Sequence, residues 1–151
     1  MRADDIMRRR VLTVSPETDI HEVAKKLADY GISAMPVVDA ERHVVGMISE
    51  GDLMRLPETG TERRPSWWLR LLADPKKEAE QYIKTHGHQA KNVMTKRVIT
   101  VSEDTPIQDI AEILEENRIK RVPVVRDGKL VGIVSRANLL HGLIVHRPEQ
   151  G

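Results

Sequence analysis

The sequence contains no cysteine and no phenylalanine. Without thiols there is no disulfide framework, no thiolate metal centre and no cysteine nucleophile. That usage fits a reducing compartment, and the cytoplasm is the expected location. Trp67, Trp68, Tyr30 and Tyr82 are the whole aromatic complement, so Val, Ile, Leu and Met must fill the core, and the stacking platform expected of a single-strand nucleic-acid binder is missing. Neither sign of charge prevails: 24 Lys+Arg face 23 Asp+Glu, which leaves no global field toward nucleic acid or an anionic membrane. Arg8-Arg9-Arg10 is a short basic run read as a solvated turn. No stretch approaches the roughly 18 apolar residues of a membrane span, and Met1 leads into Arg2-Ala3-Asp4-Asp5 rather than into a signal segment. A soluble, unexported protein is expected, with neither nucleic acid nor membrane as partner. No GxxxxGK[ST], HExxH or GxSxG motif is present, so no catalytic residue is assigned and the chain is not read as an enzyme. His86-Gly87-His88 has no third donor at metal-ligand spacing, and no metal is expected.

What the chain does contain is itself, twice. A shift of 87 positions lays Met7–Ser15 on Met94–Ser102, and with one gap opposite His43 the segments 7–55 and 94–141 align with 18 identities in 48 pairs. Such self-similarity marks a duplicated supersecondary unit. In each copy, apolar residues recur at helical spacing: Ile20, Val23, Ala24, Leu27 and Ala28, then Ile107, Ile110, Ala111 and Leu114. Thr18 and Thr105 are N-cap candidates, Pro106 suits a first helical position, and Gly31 and Asn117 stand where a left-handed residue ends a helix. Met35-Pro36-Val37-Val38 and Val122-Pro123-Val124-Val125 read as strands. Turns at 39–42 and 126–129 lead into returning strands at 44–48 and 130–134, and a last short helix starts near Ser49 and Ser135.

The expected fold is thus α/β (α+β): two β-α-β-β-α repeats packed sheet to sheet with pseudo-two-fold symmetry, because a unit of about 48 residues is marginal alone. Repeat one is placed at 1–55, a linker at 56–90, repeat two at 91–145 and a tail at 146–151. Asp74-Pro75 followed by helix formers up to His86-Gly87 predicts an inserted linker helix, with a shorter helix over Ser66–Leu72.

The doubled Thr-Val-Ser, Pro-Val-Val and Val-Gly-x-x-Ser resemble a tandem pair of CBS domains, named after cystathionine β-synthase and together called a Bateman module. The Ser-Trp-Trp linker is similar to that of small bacterial members in which a further domain sometimes follows; none is expected after Gly151. The resemblance implies an adenosyl ligand (AMP, ADP, ATP, NAD or S-adenosylmethionine) and a homodimer. It also implies the site residues. A Ser-x-x-Asp motif at the last helix of one repeat holds the ribose, while the base lies against the other repeat's first strand and the residues before its Pro-Val-Val. One cleft would take Ser49 and Asp52 with Thr100, Ile119 and Lys120; the other would take Ser135 and Asn138 with Thr13, Ile32, Ser33 and Ala34. Arg121 matches a family position that reaches phosphate, and its repeat-one counterpart is Ala34.

The chemistry stands apart from the family. An ionised Asp accepts two hydrogen bonds from a vicinal diol, and a helix N-terminus with a nearby Arg or Lys suits phosphate. Asn138 is a neutral amide and a poorer diol acceptor. Competing readings stay open: Ser49-x-x-Asp52 is also a capping box, Lys120 and Arg121 also suit a solvated strand edge, and Thr13 and Thr100 also suit strand formation. Neighbours on a helix point in different directions, so of Trp67 and Trp68 one can pack on the repeats and the other on a second subunit, and packing of both within the chain stays open. The functional reading is a ligand-sensing module that an unidentified protein effector reads; the alternative is a structural dimerisation module with vestigial clefts.

Overall fold

A computed structural model describes residues 1–55 and 88–145. The expected linker helices, the tryptophan pair and the tail lie outside the described residues. The elements in chain order are α1 (Ala3–Ile6), α2 (Ile20–Tyr30), β1 (Ala34–Val38), β2 (Val44–Ser49), α3 (Glu50–Met54), α4 (Ala90–Val93), β3 (Val101–Ser102), α5 (Ile107–Glu116), β4 (Arg121–Arg126), β5 (Lys129–Ser135) and α6 (Arg136–Val145). The mixed α and β composition of two similar units agrees with the expected class.

Strands β1 and β2 form a two-stranded sheet, and β3, β4 and β5 a three-stranded one. Val101 and Ser102 pair in parallel with Val124 and Val125, while β4 and β5 run antiparallel from Arg121 opposite Ser135 to Arg126 opposite Lys129. The first strand expected in repeat one is reduced to a single parallel bridge, Val14 with Val37. Asp127 (φ 53°) and Gly128 (φ 79°) close the β4–β5 hairpin, the two-residue loop whose positive φ angles follow strand twist and favour Asp-Gly.

Helices α2 and α5 are each capped one residue later than expected. Asp19, not Thr18, caps α2, its carboxylate accepting from the His21 N–H at 2.8 Å. Pro106 is the N-cap of α5 rather than its first residue. Thr18 and Thr105 accept instead from the N–H groups of Ser15 and Ser102, at 3.0 Å in each case; a threonine hydroxyl one position upstream reaches back to the turn more readily than forward to the helix. Gly31 is left-handed as expected (φ 61°). Asn117 is not: it stays right-handed, its Nδ2 donates to the Ile113 carbonyl at 2.8 Å, and Arg118 takes the positive φ of 52°.

Two compact units result, and they cross the repeat boundaries. One comprises Thr13–Ala40 and Val45–Val98, the other Met1–Leu12, Glu41–Val44 and Ile99–Gly151. We call them the first and second units. The core of the first holds Val14, Ile20, Val23, Leu27, Met35, Val37, Ile48 and Leu53, together with Ala90 from α4. The core of the second holds Val101, Ile110, Leu114, Val122, Val124, Val134 and Leu139, together with Ala3 and Met7 from the chain's beginning. Each full burial of an Ile, Val or Leu stabilises by about 1.5–3 kcal/mol.

The segments carrying Ala3 and Ala90, which the repeat alignment from Met7 left out, are therefore packed straps. They share one pattern. Ala3 N–H donates to the Thr105 carbonyl and Ala90 N–H to that of Thr18, and the Arg2 and Gln89 N–H groups are accepted by the side chains of Asp5 and Asn92. Met7 and Met94 follow, and then a backbone bridge, Arg8 with Ile133 and Thr95 with Met47.

Candidate functional site

The duplicated Ser-x-x-Asp/Asn segment has the same geometry in both units. Ser49 ends β2 and caps α3. Its N–H and Oγ both donate to Asp52 Oδ2, at 2.9 and 3.0 Å, and Asp52 N–H returns a bond to Ser49 Oγ at 3.2 Å. Ser135 ends β5 ahead of α6, with the same three bonds to Asn138 at 2.9, 2.9 and 3.2 Å. The capping box weighed from the sequence is thus present, twice, with an amide oxygen in place of a carboxylate oxygen in the second copy.

The difference lies at the remaining polar atom. Asp52 Oδ1 accepts from Arg55 Nη2 at 3.0 Å, an ion pair between an 11% exposed carboxylate and a 75% exposed guanidinium. A pair with one partner so exposed is weak and readily exchanged. Asn138 presents an Nδ2 donor that has no partner among the described residues. The two copies therefore offer opposite hydrogen-bonding character on one backbone scaffold.

The segment before each Pro-Val-Val is tied to the same motif. Glu50 N–H donates to the Ser33 carbonyl at 2.9 Å, and Arg136 N–H to the Lys120 carbonyl at 3.0 Å. In the first unit the structure thus brings Ser33 and Ala34 beside Ser49 and Asp52. In the second it brings Lys120 and Arg121 beside Ser135 and Asn138, with Arg121 and Ser135 directly opposite in the β4–β5 register. Ile32 and Ile119 each donate an N–H back into the preceding helix, to Leu27 and Leu114 at 3.0 Å, and pack partly buried on their respective cores. Thr13 is half-buried, with its carbonyl accepting from Lys26 Nζ at 3.4 Å; Thr100 and Lys120 are exposed.

A second feature gave no signal in the sequence. In the second unit, at the end of β4 remote from Arg121, a groove of about 460 Å³ is lined by Asp4, Ser102, Glu103, Asp104, Val125, Arg126 and Asp127. Arg126 donates through Nε and Nη2 to both Glu103 oxygens, and this guanidinium holds the Glu103 carboxyl below the usual carboxylate range. Arg2 bridges Asp4 and Asp104 at 2.9 and 3.1 Å. Arg2 lies 102 residues from Asp104, and Arg126 lies 23 from Glu103, so no local pattern announces these two pairs.

A family profile for the CBS domain matches residues 3–58 and 90–145. An uncharacterised protein of Methanocaldococcus jannaschii is 35% identical over 156 residues, covering 95% of this chain and 92% of its own length. The chloroplastic CBS domain-containing protein CBSX1 of Arabidopsis thaliana is 33% identical over 141 residues, and the match spans 87% of this chain and 58% of CBSX1. Among solved structures, CBSX2 in complex with AMP superposes with a TM-score of 0.72 at 27% identity, covering 95% of this chain and 96% of that one. The CBS domain pair of protein MJ0100, in complex with 5′-methylthioadenosine and S-adenosyl-L-methionine, gives 0.66 at 27% identity, covering 93% and 94%. With both halves matched by the family profile, with relatives of this identity, and with a doubled cap motif seated on two similar cores, the chain belongs to the CBS domain family and carries a pair of CBS domains.

Proposed function

We propose that this CBS pair is a regulatory module that binds an adenosyl nucleotide of the AMP, ADP, ATP or NAD kind and catalyses no reaction. The observation that carries the reading is the Ser49–Asp52 arrangement. The backbone and hydroxyl bonds of Ser49 fix Asp52 Oδ2, while among the described residues Oδ1 is met by an exposed arginine. A ribose diol that displaces Arg55 gains a charge-assisted bond to a carboxylate already held in place. Solved relatives of this fold carry AMP in one case, and 5′-methylthioadenosine with S-adenosyl-L-methionine in another.

In this reading Ser49 and Asp52 act with Thr100, Ile119 and Lys120, and Ser135 and Asn138 act with Thr13, Ile32, Ser33 and Ala34. Arg121 supplies charge for phosphate. Asp52→Ala is expected to weaken nucleoside binding about 10- to 100-fold in calorimetric titration while the circular dichroism spectrum stays native; unchanged affinity would remove Asp52 from the site.

The module is further proposed to work as a cytoplasmic homodimer whose state a protein effector reads. Leu140, Leu143 and Ile144, spaced along one stripe of α6, are 62%, 60% and 75% exposed, and Met54, the repeat-one counterpart of Leu140, is 49% exposed. Apolar stripes of this kind are normally covered by a partner. No helix among the described residues is long and apolar enough to cross a membrane. A second protein surface is the cover we favour.

A structural dimerisation module is the second reading. Asn138 and Ala34 favour it, since both depart from the binding pattern the family resemblance implies, and it predicts no nucleotide affinity.

A further inference from the structure

We propose that Met7 and Met94 are oxidisable clips that hold the two straps on their units, so that hydroperoxides loosen the fold at two defined points. Each methionine occupies the space that a side chain would need on a buried glycine of the returning strand. A Cβ on Gly132 would lie 2.5 Å from Met7 Sδ and 2.8 Å from its Cγ, and a Cβ on Gly46 would meet Met94 Sδ and Cγ in the same way. The thioether thus rests on bare backbone, and Gly at this position is what admits it. Met7 is 9% exposed, and Met94 packs half-buried against the first core.

Oxidation transfers one oxygen from a hydroperoxide to the sulfur. The O–O bond breaks, water or an alcohol leaves, and the sulfur is oxidised by two electrons while the peroxide is reduced. The product is polar and bulkier. At Met7 the Arg8 carbonyl oxygen lies 3.0 Å from the point where the glycine's Cβ would stand, so a sulfoxide oxygen directed there would face another acceptor instead of a donor. Among the described residues, each strap is otherwise held by a four-residue helix with one buried alanine and by two backbone bridges, Arg2 with Pro106 and Arg8 with Ile133 in one, Gln89 with Asp19 and Thr95 with Met47 in the other. The bridge next to each methionine is a single exchanged pair, so loss of the clip opens the strap at that point before the core.

The test is site-resolved proteolysis of the full chain. Arg8, Arg9, Arg10, Lys96 and Arg97 have exposed side chains, but the backbone is pinned next to them: Arg8 exchanges both bonds with Ile133, and Thr95 both with Met47. After mild hydrogen peroxide treatment, mass mapping should show sulfoxide at Met7 and Met94, and tryptic cleavage after Arg8–Arg10 and Lys96–Arg97 should accelerate about tenfold or more. Methionine sulfoxide reductase should restore the slow rate. The Met7→Leu/Met94→Leu protein should be unaffected by peroxide, although the exposed Met1 and Met54 still oxidise.

Complete oxidation of Met7 and Met94 with unchanged cleavage overturns the proposal, as does equal acceleration in the leucine variant. Resistance of both methionines until the whole chain unfolds also overturns it. Should the leucine variant not fold, the reductase reversal in the unmodified protein decides alone. Nucleotide is absent throughout, so the outcome is independent of the proposed binding function.

Discussion

The hydroxyls of Ser49 and Ser135 each accept from one helix N–H, that of Asp52 or Asn138, and donate to the side-chain oxygen of the same residue, which in turn accepts from the serine's own N–H. Removal of either hydroxyl leaves a helix N–H without its cap, so Ser49→Ala and Ser135→Ala are each expected to lower stability by about 1 kcal/mol in urea denaturation. A loss below a few tenths would show that the cap is redundant. The two buried glycines under the methionines separate further. The three atoms nearest a Cβ on Gly46 all belong to the side chain of Met94, which can swing away, whereas those nearest a Cβ on Gly132 include the Arg8 carbonyl oxygen. The Gly132 variant should be the less stable of the two, within the ~1–3 kcal/mol range of overpacking, and equal midpoints in denaturant would contradict that order. At this scale the sequence was only half legible. Ser-x-x-Asp could be seen, but a cap and a ribose acceptor use the same residues, because both need an oxygen aimed past the end of a strand. Asn117 suits a left-handed position by propensity, yet the repeat alignment sets Arg118 opposite Gly31, and it is Arg118 that takes the positive φ.

The long amphipathic helices were legible because their burial follows a 3.6-residue period: Ile20, Val23 and Leu27 in α2, Ile110 and Leu114 in α5. Ile110→Ala should cost about 2–5 kcal/mol, since the side chain is completely buried. Helices α1 and α4 gave no such signal. Four residues show no period, and their stability comes from Ala3 and Ala90 packing into cores made by distant chain. Helix α2 also carries a titration. Burial lowers the pKa of His21, and the neighbouring Asp19 carboxylate only partly opposes it. A base whose folded pKa lies below its unfolded value near 6.5 is protonated first in the unfolded chain, so stability falls as pH drops below about 6.5. Thermal melts of the His21→Gln variant should show a smaller loss between pH 7 and pH 5 than the unaltered protein, and parallel curves would remove His21 from the acid response.

On the scale of the whole molecule, the duplication was the most legible feature, since 18 matches in 48 pairs recur in register with a single gap. The strap arrangement was not, because it depends on where the chain goes after Leu12 and after Val98, where it passes from one unit to the other. Nor does the sequence distinguish exposed from covered apolar residues on α6. The exposed stripe there makes a definite prediction: Leu143→Glu/Ile144→Glu should convert a dimer to a folded monomer in gel filtration with light scattering, and a monomer already in the unaltered protein would refute the dimer. The central claim, that the doubled cap motif holds an adenosyl nucleotide, is tested most directly by calorimetric titration of the pure protein with AMP, ATP, NAD and S-adenosylmethionine, alongside Asp52→Ala and Asn138→Ala. We predict saturable binding of at least one ligand, weakened about 10- to 100-fold by loss of the hydrogen-bonding group that contacts it. Absence of binding for all four, in protein shown to be folded and ligand-free, would contradict the claim and leave a dimerisation module.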